Sequence, residues 1–218
     1  MGRPITTKDL PPTVERLLEA ADAAFARAGF EGARLEDIAG AAGIRRPSLL
    51  HHFPTKEELY AAVIQRAFSR LGAALGSALT IGPPERNVPF GEQVDQLVAS
   101  YLAFLEAQPT FAPLVLREVI DGRGPGRDLI LREVAPLLDL VEALVQGGRS
   151  GARLGVPVRA AILQVACAPL VNAASGPLGP SLWGTGPDAT PALARALLLP
   201  AGAHARPYKT TKTTTKRK

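Results

Sequence analysis

Apolar residues recur at three- and four-residue spacing along almost the whole chain, and no sustained run alternates apolar with polar positions. That period predicts an all-α protein. A first helix over about 12–28 turns Val14, Leu17, Leu18, Ala21, Phe25 and Ala28 inward. Gly29 follows it, where a residue able to take a left-handed conformation is wanted. A short second helix at about 35–42 carries Leu35, Ile38, Ala39 and Ala42 on one side and stops at Gly43. A third runs from about 46 to 52, with Pro47 in its first turn, where the missing N–H does no harm. The segment TKEE at 55–58 is a capping box in which Thr55 and Glu58 each satisfy a backbone donor. It opens a long fourth helix whose Leu59, Val63, Ala67, Leu71, Leu75 and Leu79 step by four.

Helix breakers divide the remainder. IGPPERNVP (81–89) reads as a linker, and helices follow at about 90–107 and 110–120. DGRGPGR (121–127) is a loop before a helix at about 128–146 that contains Pro136 and is expected to kink there. GGRSGARLG (147–155) leads to a helix beginning near Pro157. SGPLGPSLWGTGP (175–187) reads as one long loop, and Thr190 with Pro191 opens a final short helix to Leu199. The end, RPYKTTKTTTKRK, offers nothing substantial to bury and reads as a disordered tail over 206–218.

Composition narrows the class. Of the 218 residues 46% are hydrophobic and 21% charged, which suits a packed globular chain. The net charge of +5 is unevenly placed, because Arg206, Lys209, Lys212, Lys216, Arg217 and Lys218 all lie in the tail, with no acid among them. The rest of the chain is slightly acidic, so a high isoelectric point is no argument for nucleic-acid binding by the fold. Cys167 is the single cysteine, so no intramolecular disulfide is possible and a reducing compartment is expected. The longest apolar region, 156–174, is interrupted by Arg159, Gln164 and Pro169 and falls short of the roughly 20 residues of a membrane span. The expectation is a cytoplasmic protein with no membrane partner, and with Cys167 packed inside a buried helix.

The candidate chemistry gathers at IRRPSLLHHF (44–53). Three short helices with a glycine-containing turn between the second and third make a helix-turn-helix, whose third helix is the element that enters a DNA major groove. Arg45 and Arg46 stand at its start, where arginine can bond guanine O6 and N7 or a phosphate. Ser48 is small enough to donate to a base edge or phosphate, and His51 and His52 come one turn later, within reach of the backbone. Leu49 is carried with this set because it lies between them, although the leucines and Phe53 also have a core to fill; Leu50 is expected to pack inward. Lys56, at the start of the fourth helix, adds an ammonium near that helix's N–H groups. A shared metal ion on His51 and His52 is disfavoured, since neighbouring helical side chains diverge by about 100°. No cofactor is called for.

The run LLEAADAAFARAGFEGARLEDIAGAAGIRRPSLLHHFPTKEELYAAVIQRAF (17–68), about a quarter of the chain, resembles the tetracycline-repressor (TetR) family of transcriptional regulators. The resemblance is carried by the AxxxFxxxGF end of helix one, by LEDIAGAAGI, and by the LLHHFPTKEEL step into helix four. It implies a DNA-binding domain over residues 1–58 and a helical ligand-binding and dimerisation domain over 59–205, ahead of the tail that composition marks at 206–218. Two departures stand out. The family commonly places Ser or Thr just before helix two, where this chain has Arg34, which cannot accept a bond from the helix N-terminus; Arg34 has instead the charge and length to reach a phosphate. The family also often has Tyr where Leu50 stands and an aromatic where His52 stands.

On this reading the protein is a ligand-responsive repressor that binds a palindromic operator in double-stranded DNA as a homodimer and is released by a small-molecule effector. The dimer interface is expected in the elements at about 156–175 and 188–199, and helix four is the natural lever. Phe68, Tyr101, Phe104, Phe111 and Leu114 are the candidates for an apolar effector pocket, with Phe90 nearby in sequence. Two alternatives remain beside it: a ligand-blind architectural DNA binder, and an enzyme acting on a small apolar molecule. Against the enzyme stands the lack of any nucleophile–base pair, metal cluster or phosphate loop. Asp121, Glu118, Glu133 and Asp139 are not paired as a general acid and base.

Overall fold

The computed structural model describes residues 12–80, 88–121, 125–148, 156–184 and 186–199, and among them it contains helices and turns but no strand. The expected tail at 206–218 lies outside these residues. α1 (Pro12–Gly32), α2 (Leu35–Ala41) and α3 (Arg46–His52) are followed by α4 (Lys56–Thr80), α5 (Phe90–Ala107), α6 (Phe111–Asp121), α7 (Gly126–Gly148) and α8 (Val158–Ala174). α9 (Gly179–Trp183) and α10 (Thr190–Leu198) complete the set.

The predicted elements are present, with instructive differences at their ends. α1 runs past Gly29, whose φ of 72° and ψ of 178° interrupt the helix; Ala33 N then bonds Gly29 O at 3.2 Å and closes another turn. Gly43, at φ 71°, makes the turn between α2 and α3. Thr55 caps α4 as expected, its hydroxyl oxygen accepting from the Glu58 N–H at 3.1 Å. Pro136 is carried inside α7 and Pro169 inside α8. The stretch expected as a single loop at 175–187 contains a 3₁₀ turn (Gly176–Leu178) and α9. Pro177 and Pro180 occupy first-turn positions there, where a proline helps a helix to start.

One apolar core begins in the first three helices with Leu17, Phe25, Ile38 and Leu49 and continues through Leu59, Tyr60 and Val63 into Phe68, Phe104, Phe111 and Leu114. Burying each large side chain of this kind contributes roughly 1.5–3 kcal/mol. The change of role expected near residue 58 therefore falls within continuous packing, and α4, at 25 residues and about 37 Å long, carries that core from one end to the other. A second core, around Val94, Val145, Ala161, Ile162, Ala194 and Leu198, closes α5, α7, α8 and α10 on one another. Arg195 forks onto Asp95, joining α10 to α5, and Arg159 bonds both Asp139 and Glu142, joining α8 to α7. Among the described residues no single helix is long and apolar enough to cross a membrane.

Candidate nucleic-acid interface

α3 is held by its inward side. Leu49 is fully buried, together with Ile38, Ala39 and Ala42 from α2 and its turn, while Leu50 and Phe53 are half-buried against the same core. This corrects the placing of Leu49 among the DNA-facing side chains. At 0% exposure its contacts are with the core, and it serves α3 by fixing the helix in place. Around it Arg34, Arg45, Arg46, Ser48, His51 and His52 are all exposed. Arg45 is the N-cap residue of α3, extended at φ −89° and ψ 152°, and its carbonyl accepts from Ser48 N at 2.9 Å and Leu49 N at 3.1 Å. Arg34 stands likewise before α2 and gives no side-chain cap, as its chemistry requires.

Two cations of the set already have partners. Arg46 pairs with Glu36 of α2 at 2.8 Å, with both side chains more than half exposed. An ion pair so open to water contributes about 0–1 kcal/mol, so a phosphate or a base can displace it. Lys56 is more firmly engaged: its Nζ donates to Glu31 O at 3.2 Å and sits 4.8 Å above the Phe30 ring. It satisfies the Glu31 carbonyl near the end of α1, which ties α4 to α1. The His51 and His52 rings are 5.7 Å apart at an interplanar angle of 65°, and no group of three His, Cys, Asp or Glu residues suited to a metal ion occurs among the described residues.

Behind this surface lies a polar network that the sequence did not advertise. Arg66 and Arg70 of α4 both bond Glu15 of α1 at 3.0 Å, Arg70 also bonds Gln108 at 3.1 Å, and the Thr110 hydroxyl donates to Asp22 at 2.9 Å. Burial raises the Asp22 carboxyl above its ordinary value, opposed by the Thr110 bond and the two arginines. Burial, and then the like charge of Arg70, lowers Arg66. No spacing within a single helix flags these residues, because each pairing joins α1 or α4 to a part of the chain distant in sequence.

The candidate effector residues come together. Phe111 meets Phe68 edge-on at 5.3 Å and Phe104 at 4.9 Å, Leu114 is 1% exposed in the same core, and Tyr101 packs against it. The Tyr101 hydroxyl donates to Ala166 O of α8 at 3.0 Å, and burial pushes its pKa far upward. Phe90 does not join them but packs in the second core. Cys167, expected inside, is exposed. It lies four residues from each of Leu163 and Val171, which are also exposed, and Leu178, Leu182 and Trp183, which follow α8 in the chain, are exposed as well.

A small helix-turn-helix unit with a basic outer side, mounted on an all-helical body, defines a class of DNA-binding regulator. Residues 17–63 match the model of the bacterial regulatory proteins, tetR family. The regulator RutR of Escherichia coli (strain K12) is 48% identical over 50 residues, which are 23% of this chain and 24% of that protein. The match thus spans about a quarter of that relative's length. The activator FasR of Mycolicibacterium smegmatis is 33% identical over 91 residues, covering 42% of this chain and 39% of its own. A TetR-like transcriptional regulator from Rhodococcus sp. RHA1 shares the fold over 85% of this chain and 93% of its own, with a TM-score of 0.64 at 22% identity. Over residues 17–63 the chain thus matches the TetR family of regulators, and over most of its length it shares the fold of a TetR-like regulator.

Proposed function

We propose that the protein is a ligand-responsive transcriptional repressor that binds a palindromic operator as a homodimer and releases it on taking up a small molecule. The observation that carries this reading is the division of α3: Leu49 is wholly buried while Arg45, Arg46, Ser48, His51 and His52 around it are exposed. A short helix anchored by Leu49, with Leu50 half-buried beside it, presents its exposed side to the groove. Arg46 is the base reader, suited to guanine O6 and N7, while Arg34, Arg45, Ser48, His51 and His52 hold phosphates. Lys56 acts from behind, by fixing α4 to α1.

Exposed Leu163, Cys167 and Val171 on one stripe of α8, with Leu178, Leu182 and Trp183 after it, supply the surface for the second copy. Apolar surface of this kind calls for cover, and a two-fold axis lets each copy cover the other. α10 contributes at its edge through Leu193. The two α3 helices are then set about 34–36 Å apart, one turn of DNA. The effector enters among Phe68, Tyr101, Phe104, Phe111 and Leu114, and shifts the DNA-bound population only by its differential affinity for the two states. A protein that works on operator DNA works in the cytoplasm.

The test is selection from a random DNA library with the whole chain, repeated with residues 206–218 removed. A two-fold symmetric site is expected from both selections. On that site Arg46→Ala is expected to cost roughly 1–3 kcal/mol of binding. No enriched sequence, or binding that vanishes with the tail and with moderate salt, would replace this reading with sequence-independent electrostatics. Indifference of the selected complex to every compound in an effector screen would favour the architectural alternative, and turnover of a compound would favour the enzyme.

A further inference from the structure

α6 grips both helices that carry the DNA-binding unit. Just before it, the Thr110 hydroxyl is bonded to Asp22 on α1. Near its far end, Arg117 donates from Nε to Ala26 O at 3.1 Å and from Nη2 to Arg27 O at 2.9 Å. These carbonyls lie where Gly29 breaks the helical run of α1, and their usual partners four residues on, Phe30 and Glu31, lie beyond the break. The guanidinium thus caps α1 from a helix about ninety residues away, lying 3.9 Å from where a Cβ at Gly29 would be.

The next residue grips the other helix. Glu118 is 5% exposed and accepts a bond from the Tyr60 hydroxyl of α4. Tyr60 packs edge-on to Phe25 at 4.7 Å and tilted to Phe30 at 5.1 Å, which makes it part of the aromatic plug under the helix-turn-helix. The other carboxylate oxygen, Oε2, is buried with no hydrogen-bond partner among the described residues. α7 leaves room for this arrangement only through Gly126, where a Cβ would stand 2.6 Å from Glu118 Cδ and 2.8 Å from Tyr60 Cε1. A buried carboxylate with one oxygen unpartnered is a poor choice for stability alone. Meanwhile Phe111 and Leu114, earlier on α6, pack in the candidate effector region. One eleven-residue helix therefore touches both the effector region and the two mountings of the reading head.

We propose that Arg117 and Glu118 are positioning residues that fix the angle of the helix-turn-helix on the helical body, and so set the half-site spacing that a dimer accepts. The inference rests on the dimeric operator-binding reading above. α4 need not be the only lever: displacement of α6 pulls directly on the end of α1.

The experiment uses the selected operator, variants with the half-site separation changed by one and two base pairs, and a single half-site. The wild type should lose about a hundredfold in affinity when the spacing no longer lets both heads engage. Arg117→Ala should flatten that dependence to within about threefold across the series while binding the single half-site as the wild type does. Arg117→Lys keeps the charge but cannot form the two-carbonyl fork, and should fall between them. Tyr60→Phe, which deletes only the hydroxyl, should flatten the profile in the same direction. Wild-type spacing profiles in the folded variants would overturn the proposal, and Arg117→Lys with Tyr60→Phe decide the matter if the alanine variant does not fold. A wild type indifferent to spacing would remove the dimeric reading itself, and the proposal with it.

Discussion

On the outside of α3 and just ahead of α2 the exposed side chains include arginine, serine and histidine, with Glu36 and Asp37 of α2 beside them; on the outside of α8 and α9 they include leucine, valine, cysteine and tryptophan, with Gln164 and Asn172 among them. Beneath each lies the same kind of aliphatic and aromatic packing. Interior residues therefore say little about what either region does, and the outward residues say a good deal. A surface that carries Arg34, Arg45 and Arg46 suits a polyanion, while an uncovered apolar stripe suits another apolar surface. The two regions also differ in how they are held. α3 hangs on one fully buried leucine, whereas α8 is fixed along its length by Ala161, Ile162, Val165 and the Arg159 fork.

The most severe way to break this contrast is Leu49→Ala. It should lower unfolding stability by about 2–5 kcal/mol in chemical denaturation and abolish operator binding as well, because α3 loses its anchor. Next comes Gly126→Ala, expected to cost about 1–3 kcal/mol by crowding Glu118 and Tyr60; an unchanged denaturation midpoint would show that α7 shifts aside freely. Arg46→Ala should separate the two properties that Leu49→Ala confounds, weakening the operator complex while leaving the melting temperature within about a degree. On the opposite surface Leu163→Asp should leave the monomer folded but weaken self-association by roughly tenfold or more in sedimentation, since a carboxylate would be buried across the interface. Undisturbed dimers would place the second copy elsewhere.

The smallest effect is electrostatic. Because burial raises the Asp22 carboxyl above 3.8, the folded chain holds that proton more tightly than the unfolded chain does. Ionised Asp22 therefore opposes folding: this penalty is absent below about 3.8, grows as pH rises through the raised folded value, and is constant above it. Asp22→Asn should remove that pH-dependent component. Parallel stability profiles for the wild type and the variant across the acidic range would contradict it.

The helix-turn-helix was legible because its signals are local: a glycine turn, a capping box, a proline in a first turn and charged residues set between periodic apolar ones. Even so, periodicity does not decide between Leu49 and Leu50. In a two-turn helix two adjacent leucines fit the inward direction about equally well, and only packing against Ile38 and Ala42 chooses. α8 is harder for a related reason. The run AILQVACAPL is apolar on every side, so an outward stripe intended for a partner reads the same as core, and Cys167 looks like an interior residue. The Gly- and Pro-rich segment at 175–187 resembles loop because a proline in a first turn is indistinguishable, on composition, from a proline that ends a helix. Arg117 and Glu118 leave no local trace, since their partners lie about ninety and fifty-eight residues away.

The exposure of Cys167 has a practical side. It is the chain's single thiol and it lies on the surface proposed for the second copy. A maleimide dye or nitroxide therefore attaches at one native position, with no engineered cysteine and no competing site. If α8 is covered on assembly, the labelling rate will fall as protein concentration rises through the dimer dissociation constant. A spin pair placed there would report the distance across the two-fold axis, so that the chain carries its own gauge of assembly.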